Sequence, residues 1–276
     1  MKKAIIIPNT RKEKSVSFAP VAASFLNDNG YETEIVTSAS DYDGTACFAI
    51  VLGGDGTILR AARQLYGRDI PIFGINFGRL GYLTEYSAED AMDGLAKLVS
   101  SEYGIETRMM IEGELIRDGR TIDSFIALNE ASLFRAMLMH AISAEIKING
   151  KKTETVRGDG LVISTPTGST SYNMSAGGPI LTPTSQNIVI TSVAAHMLSH
   201  PSIVTDGGDE ITVAISFSSP EDTGCAYLEI DGSKRYELYD GDTVKIHRAR
   251  HSAKIIKATD KSFYQILREK LSVMPD

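Results

Sequence analysis

The stretch Ala49-Ile-Val-Leu-Gly-Gly-Asp-Gly-Thr57 decides the fold of the first part of the chain. Its apolar run is typical of a buried parallel strand, and the glycines that follow mark a tight turn. A helix is predicted over Ile58–Tyr66, and a strand-to-helix turn of this kind can present backbone N–H groups to a phosphate. Asp55 is unusual there because a carboxylate repels phosphate. It is interpreted either as the N-cap of the helix or as an acceptor for a hydroxyl proton, a ribose hydroxyl or a metal ion.

Alternating strands and helices surround this turn. Gly30 lies where a glycine would end a helix, and Ser87-Ala-Glu-Asp90 resembles a capping box that opens another, with Met92, Leu95 and Val99 on its inner face. Residues 1–100 are therefore predicted to form a three-layer α/β domain that contains the GGDGT loop. The predicted strands are Lys3–Pro8, Tyr31–Val36, Cys47–Leu52 and Ile70–Asn76, and the first predicted helix is Ser15–Asp28.

The pattern changes after about residue 104. Asp118-Gly119, Asn149-Gly150 and Asp231-Gly232 each separate two β-rich runs, which predicts two-residue hairpins. Residues 101–260 are predicted to form a mainly antiparallel β domain. Residues 261–276 form a C-terminal helical segment, with the helix expected over about Ser262–Leu271. The predicted fold class is thus an α/β domain, a β-rich domain and a closing helix.

Composition excludes several classes of protein. The 276 residues carry a net charge of −7, which argues against nucleic acid or an anionic membrane as the main partner. The two cysteines, Cys47 and Cys225, have no metal-ligand spacing, and they favour a reducing, cytoplasmic location. The apolar run Ala4–Ile7 is too short for a signal peptide, and no stretch is long enough to span a bilayer.

A second loop is rich in hydroxyl groups. Seven of the nine residues in Ser164-Thr-Pro-Thr-Gly-Ser-Thr-Ser-Tyr172 carry one. A flexible linker would have this composition too, but an apolar strand enters the loop and Pro179-Ile-Leu leaves it, which favours a loop that binds a polar ligand. The Asn129-Glu130 pair at the end of an apolar run can reach ribose hydroxyls and an amine, although such pairs are often turn residues.

Other motifs are absent or structural. The sequence contains no GxxxxGK[ST], GxGxxG or GxSxG motif. His196/His200 and His247/His251 are spaced i, i+4 but lack the adjoining glutamate of HExxH, so no zinc site is predicted. The turn Asn76–Leu83 is interpreted as structural.

Taken together, these motifs resemble the NAD kinase family. The GGDGT loop alone is shared with lipid kinases and phosphofructokinase-type kinases, whereas the Asn-Glu pair with the GDG…STPTGSTSY loop is far more specific. The resemblance covers nearly the whole chain, through Gly53–Thr57, Asn76–Leu83, Asn129-Glu130, Gly158–Gly178, His196–Ser199, Asp231-Gly232 and Leu267–Leu271.

The resemblance implies an active site between the two domains and transfer of the ATP γ-phosphoryl group to the 2′-hydroxyl of the adenosine ribose of NAD. Asp55 matches the family's proton acceptor. The substrate-binding residues that it implies are Asp55, Gly56, Arg60, Asn129, Glu130, His140, Arg157, Asp159, Thr170, Ser171, Tyr172, Asn173, Met174 and Ser175.

The expected partners are NAD and ATP, with polyphosphate left open as a second donor, and a homodimer or homotetramer is expected. Mg²⁺ or another divalent cation is expected with ATP, without assigned protein ligands. The sequence offers no obvious fixed lysine for the γ-phosphate.

Three positions depart from the family pattern: Ser233 stands where glutamine is common, His200 where arginine is usual, and Ala195 where proline is usual. Two alternatives stay open at this point. One is a diacylglycerol-type lipid kinase that shares the GGDGT loop, and the other is a non-catalytic sensor that binds NAD.

Overall fold

The computed structural model describes residues 2–78, 81–136, 141–196, 200–217 and 226–272. The chain divides into two compact units, the first formed by Met1–Arg108 with Ser252–Asp276 and the second by Met109–His251. These bounds differ from the predicted 1–100, 101–260 and 261–276. The reason is that strands 104–108 and 253–257 pair with each other in the first sheet, so the chain returns to the first unit before its last helix.

The strands are β1 (Lys2–Pro8), β2 (Tyr31–Ile35), β3 (Phe48–Leu52), β4 (Ile72–Asn76), β5 (Tyr86–Ser87), β6 (Gly104–Arg108), β7 (Ile111–Arg117), β8 (Arg120–Ala127), β9 (Glu130–Arg135), β10 (Ile142–Ile148), β11 (Lys151–Gly158), β12 (Gly160–Ser164), β13 (Asn187–Val193), β14 (Ile203–Asp206), β15 (Ile211–Phe217), β16 (Ala226–Ile230), β17 (Lys234–Leu238), β18 (Thr243–Arg248) and β19 (Ala253–Lys257). The α-helices are α1 (Glu13–Asp28), α2 (Asp55–Gln64), α3 (Ala91–Ser100), α4 (Tyr172–Ser175) and α5 (Phe263–Ser272), with short 3₁₀ turns at Ala39–Asp41 and Gly168–Thr170.

The first unit is a three-layer α/β structure. Its sheet has the order β2-β1-β3-β4-β19-β6, parallel from β2 to β19, with β5 also paired to β4. Strand residues such as Ile50 and Ile75 pack in one apolar cluster with residues of α1 and α3. Gly74 faces the other way, because a Cβ built there would meet Ile58 of α2 at 2.4 Å. Helices therefore cover both faces of the sheet, as predicted.

Helix α1 begins two residues before its predicted start, at Glu13, and helices α2 and α3 also begin at different places from those predicted. Helix α2 starts at Asp55, with Gly54 as N-cap, because the whole Asp55-Gly56-Thr57 segment forms its first turn. Helix α3 starts at Ala91, after a local hydrogen bond from Ser87 Oγ to Asp90 Oδ2 of 2.8 Å. The prediction that Met92 lies on its inner face is wrong: Met92 is 40% exposed, since the helix buries Gly94, Leu95 and Leu98 instead.

The second unit contains two antiparallel sheets with orders β11-β10-β15-β18-β7-β8 and β14-β13-β12-β9-β16-β17. Alternating residues of both sheets, such as Ile146 and Val213 from one and Leu133 and Ile163 from the other, share one apolar core. The α/β unit, the β-rich unit and the C-terminal helix α5 confirm the predicted fold class.

The hairpin signals are confirmed with one change. Asp118-Gly119 and Asn149-Gly150 have positive φ at both residues and connect directly paired strands, as type I′ turns require. The third turn is one residue longer than predicted, because Ile230 pairs with Lys234 and leaves Asp231-Gly232-Ser233 as the loop. Within the described ranges, the structure contains no helix both long and apolar enough to cross a membrane.

Candidate functional site

The glycine loop after β3 lies at the carboxyl edge of the parallel sheet. A Cβ on Gly53 would lie 2.4 Å from Thr57 Oγ1, so the tight approach of the loop to the first turn of α2 requires glycine there. Around Gly54 and Gly56, in contrast, a Cβ would meet no heavy atom within 4 Å. Packing inside the unit does not explain those two glycines, which leaves this side of the loop open to a ligand.

Asp55 is not the N-cap of α2 but its first residue, and its carboxylate is held by backbone donors. The N–H of Tyr82 donates to Oδ2 at 2.8 Å and the N–H of Leu83 donates to Oδ1 at 3.1 Å. A Cβ on Gly81 would lie 1.8 Å from Oδ1, so glycine at that position makes room for the carboxylate. The turn Asn76–Leu83, interpreted as structural from the sequence, thus positions the predicted base.

The other two predicted residues of the first unit lie on the same helix. Gly56 follows Asp55 in the first turn of α2, and Arg60 lies one helical turn after Gly56 and is half-buried. The structure therefore brings all three predicted residues of this unit to the first six residues of one helix.

In the second unit, Asn129 and Glu130 are held by Asp231, a residue of the third hairpin turn. The Asp231 carboxylate accepts the N–H groups of Leu128, Asn129 and Glu130 at 3.0, 2.8 and 3.1 Å. Asp231 is itself buried. Sequence reasoning used Asp231 as a hairpin signal and as part of the family resemblance, and did not assign it this role.

The side chains of this pair are buried and incompletely satisfied. Asn129 Oδ1 and Glu130 Oε2 have no hydrogen-bond partner among the described residues, while Glu130 Oε1 accepts a long hydrogen bond of 3.4 Å from Ser171 Oγ. Burial raises the pKa of the Glu130 carboxyl to about 8; the charge of Asp231 adds to the rise, and the Ser171 hydroxyl opposes it. Buried polar atoms without partners are rare in proteins, and a polar ligand would satisfy both.

The first half of the hydroxyl-rich loop is rigid and internally bonded. Thr165 Oγ1 donates to the Leu128 carbonyl at 2.6 Å and accepts the Gly168 N–H at 3.1 Å. A Cβ on Gly168 would lie 2.2 Å from the Asn129 carbonyl oxygen, so the loop packs directly on the Asn129-Glu130 segment. A loop anchored in this way differs from a flexible linker, which was the alternative to a ligand-binding loop in the sequence analysis.

Asn173 lies inside the loop. It is fully buried, and its amide donates to the carbonyls of Ser169 and Pro179 at 3.1 and 3.0 Å, while its oxygen accepts from Thr191 Oγ1 at 2.7 Å. Both polar atoms of its side chain therefore hold the loop in place.

The remaining predicted residues of this loop are accessible. Tyr172 and Ser175 are exposed, and Thr170, Ser171 and Met174 are half-buried. Partial burial raises the pKa of the Tyr172 hydroxyl, with smaller contributions from the charges of Asp159 and Glu229.

Asp159 forms an ion pair that the sequence did not predict. Arg135 Nη2 lies 2.9 Å from Asp159 Oδ1, and the Arg135 N–H donates to the Asp159 carbonyl at 2.9 Å. Arg157 is exposed two residues earlier on β11. Arg135 was missed because its pairing with Asp159 depends on the neighbouring positions of β9 and β12, which no local pattern indicates.

His140 lies outside the described residues. Across the described ranges, no group of three or more His, Cys, Asp or Glu side chains is placed to hold a metal ion.

Comparison with known proteins agrees with this geometry. Residues 10–103 match the model of the ATP-NAD kinase N-terminal domain, and residues 128–258 match that of the ATP-NAD kinase C-terminal domain. The chain belongs to the ATP-NAD kinase family. The proposed resemblance is confirmed, and neither the lipid kinase nor the non-catalytic sensor is favoured.

Curated relatives share nearly the full length of the chain. It is 38% identical to the NAD kinase of Lachnoclostridium phytofermentans, over 98% of this chain and 99% of that protein. It is 33% identical to the NAD kinase of Natranaerobius thermophilus, over 99% of this chain and 98% of that protein. The chain is therefore that of a kinase.

Solved structures of similar fold include an NAD kinase and an NADH kinase. An NAD kinase from Archaeoglobus fulgidus, in complex with ATP, has a TM-score of 0.78 and 25% identity over the whole of both chains. The yeast NADH kinase complexed with NADH has a TM-score of 0.86 and 20% identity, covering 100% of this chain and 89% of that chain. At that identity the yeast enzyme supports the fold alone.

Proposed function

We propose that the protein transfers the γ-phosphoryl group of ATP to the 2′-hydroxyl of the adenosine ribose of NAD. The observation that carries the proposal is the fixed carboxylate of Asp55 on an open glycine loop, in a chain of the ATP-NAD kinase family. The complex of the related Archaeoglobus fulgidus NAD kinase with ATP supports the choice of donor, and the relatives named NAD kinase support the choice of NAD as acceptor.

Asp55 is the proposed proton acceptor. Each of its oxygens accepts one backbone N–H, from Tyr82 or from Leu83, and an ionised carboxylate has about four acceptor sites in all. Lone pairs therefore remain for a hydroxyl proton, while the two N–H donors fix the orientation of the carboxylate. A positioned base of this kind contributes roughly 10²–10⁴-fold to a rate.

The proposed NAD site uses the buried Asn129-Glu130 pair and the accessible part of the hydroxyl-rich loop. Asn129 Oδ1 and Glu130 Oε2 would gain partners from ribose hydroxyls or an amine of the ligand. Tyr172 offers an aromatic face and a hydroxyl at the accessible end of the loop, and stacking of that ring on a planar group would add to binding. Phosphoryl transfer depends mainly on such positioning and on charge stabilisation.

The metal ion, the cellular location and the oligomeric state are proposed from the composition of the chain and from its family. Mg²⁺ or another divalent cation is proposed to enter with ATP, and we assign it no protein ligand. The protein is proposed to be cytoplasmic and to form a homodimer or homotetramer.

One assay tests the main proposal. The purified protein is incubated with NAD and Mg-ATP, or with Mg-polyphosphate, and NADP is measured with an NADP-specific dehydrogenase. We expect NADP with ATP, formed at an initial rate roughly 10²–10⁴-fold lower by an Asp55→Asn preparation at the same concentration. Absence of NADP after exhaustive incubation with both donors would refute the proposed reaction.

A further inference from the structure

Lys12 lies at the carboxyl edge of the parallel sheet, between the end of β1 and the start of α1. It is the N-cap residue of α1, and its side chain is half-buried. A Cβ built on Gly78, which follows β4, would lie 2.6 Å from Lys12 Nζ and 3.6 Å from Asn76 Oδ1. The ammonium group therefore contacts the segment that leaves β4, although its backbone follows β1.

The strand order places the contact between Lys12 and Gly78 near the glycine loop. Strand β3 lies between β1 and β4, and it leads directly into Gly53 and Gly54. The side chain of Lys12 starts in the connection after β1 and ends beside Gly78 after β4, so the strand order places it near the carboxyl end of β3. The end of β1 is also bound to this loop directly, because Asn9 Nδ2 donates to Thr57 Oγ1 at 3.1 Å.

The charge of Lys12 is not used by an acidic side chain. In the parts of the chain that the structure describes, Lys12 forms no ion pair, whereas surface lysines such as Lys97 and Lys152 are paired with glutamates. Asn76 Oδ1, which also lies near Gly78, already accepts the Gly78 N–H at 2.6 Å. A half-buried ammonium group without a carboxylate partner at this edge of the sheet is suited to an anionic ligand.

We propose that Lys12 binds the phosphate chain of the phosphoryl donor beside the Gly53–Gly56 loop. This inference rests on the proposed function, and it supplies the fixed lysine that the sequence did not show. The glycine N–H groups can donate to phosphate oxygens but carry no net charge, and Asp55 adds a negative one. A compact ammonium ion offsets that repulsion without blocking the loop. ATP and inorganic polyphosphate share the chemistry that Lys12 recognises.

The decisive variant is Lys12→Met, which keeps the length and the apolar stem of the side chain and removes the charge. Lys14→Met is the matched control, because Lys14 is an exposed lysine in the first turn of the same helix. We expect Lys12→Met to raise the KM for ATP by tenfold to a hundredfold, equivalent to about 1.4–2.8 kcal/mol. The KM for NAD should change less than threefold, and Lys14→Met should resemble the unsubstituted protein in both constants.

A second variant tests the position of the Lys12 ammonium group rather than its charge. Gly78 does not have a positive φ, so alanine is compatible with its backbone, but the added Cβ would displace Lys12 Nζ. Gly78→Ala retains the lysine and should still raise the KM for ATP. This variant also keeps the proposal testable if Lys12→Met fails to fold.

Binding of inorganic tripolyphosphate with Mg²⁺, measured by calorimetry without NAD, separates this inference from the proposed reaction. Weaker tripolyphosphate and ATP binding in Lys12→Met supports the inference even if the unsubstituted protein forms no NADP. Weaker binding of ATP with unchanged binding of tripolyphosphate would show that Lys12 recognises the nucleoside and would overturn it. Unchanged ATP constants in Lys12→Met, or no binding of either ligand by the unsubstituted protein, would overturn it as well.

Discussion

The substitution Asp55→Asn separates a catalytic base from a residue that only holds a loop. The carboxylate accepts the N–H of Tyr82 on one oxygen and the N–H of Leu83 on the other. Asparagine keeps one acceptor oxygen, and its NH₂ group then faces a backbone donor. Loss of one charge-assisted hydrogen bond and creation of a donor–donor contact should cost roughly 1.5–3 kcal/mol of unfolding free energy.

The effect on turnover should be separable from this loss of stability. If Asp55 accepts the 2′-hydroxyl proton, kcat for NADP formation should fall by roughly 10²–10⁴, or about 2.7–5.5 kcal/mol in barrier height. A protein that is a few kcal/mol less stable but still folded at the assay temperature loses almost no active molecules. Turnover and thermal unfolding are therefore measured on the same preparation, and NAD binding is measured by calorimetry.

Asp41→Asn is a matched control for this experiment. The Asp41 carboxylate also accepts a backbone N–H, from Ser38 at 3.1 Å, beside a short helical turn in the same unit. Asp41→Asn should lower the unfolding temperature and leave kcat unchanged. Near-normal turnover in Asp55→Asn would refute the role of base, and loss of NAD binding together with turnover would make Asp55 a ribose ligand first.

Three further predictions concern the second unit. Tyr172→Ala and Asp159→Ala should each weaken NAD binding by roughly 1–3 kcal/mol in calorimetry, since each removes a polar or stacked contact; unchanged affinity in both would place the dinucleotide elsewhere. Because the folded-state pKa of Glu130 is raised from 4.5 to about 8, its neutral form stabilises the fold below pH 4.5. That contribution is lost as the pH rises to about 8, with a slope of at most about 1.4 kcal/mol per pH unit. Urea unfolding across this range should show the slope, and Glu130→Gln should flatten it; an identical slope in the variant would contradict the assignment. Asn173→Ala should lower the unfolding free energy by roughly 2–4 kcal/mol, because the Thr191 hydroxyl and two carbonyls lose their partner, and an unchanged urea midpoint would show that the loop is not held in this way.

Local signals predicted most of the fold. The Asp118-Gly119 and Asn149-Gly150 turns need positive φ at consecutive residues, which their composition supplies, so hairpins could be placed from the sequence alone. The continuous apolar run before Gly53 likewise identified a buried parallel strand. The return of the chain to the first unit could not be predicted, because the pairing of β19 with β4 and β6 joins strands far apart in the sequence.

The candidate site was predictable where a motif contains the residue itself. Asp55, Asn129 and Glu130 were all named from their motifs, but the groups that orient them were not. The N–H donors to Asp55 come from residues 82 and 83, and the carboxylate that holds Asn129 and Glu130 comes from residue 231. Such contacts are invisible to spacing rules, which report only neighbours along one strand or helix.

Asp231 shows how one residue can satisfy a local and a distant requirement at once. Its φ of 46° suits the left-handed position of a turn, where aspartate and asparagine are tolerated better than most residues. Asparagine would serve the turn equally well, but it could not accept three N–H groups with the strength of a carboxylate. The negative charge has a cost, since it contributes to the raised pKa of the adjacent Glu130. The Asn129-Glu130 segment that Asp231 holds therefore explains why this turn contains aspartate rather than asparagine. The hairpin turn alone does not require the charge.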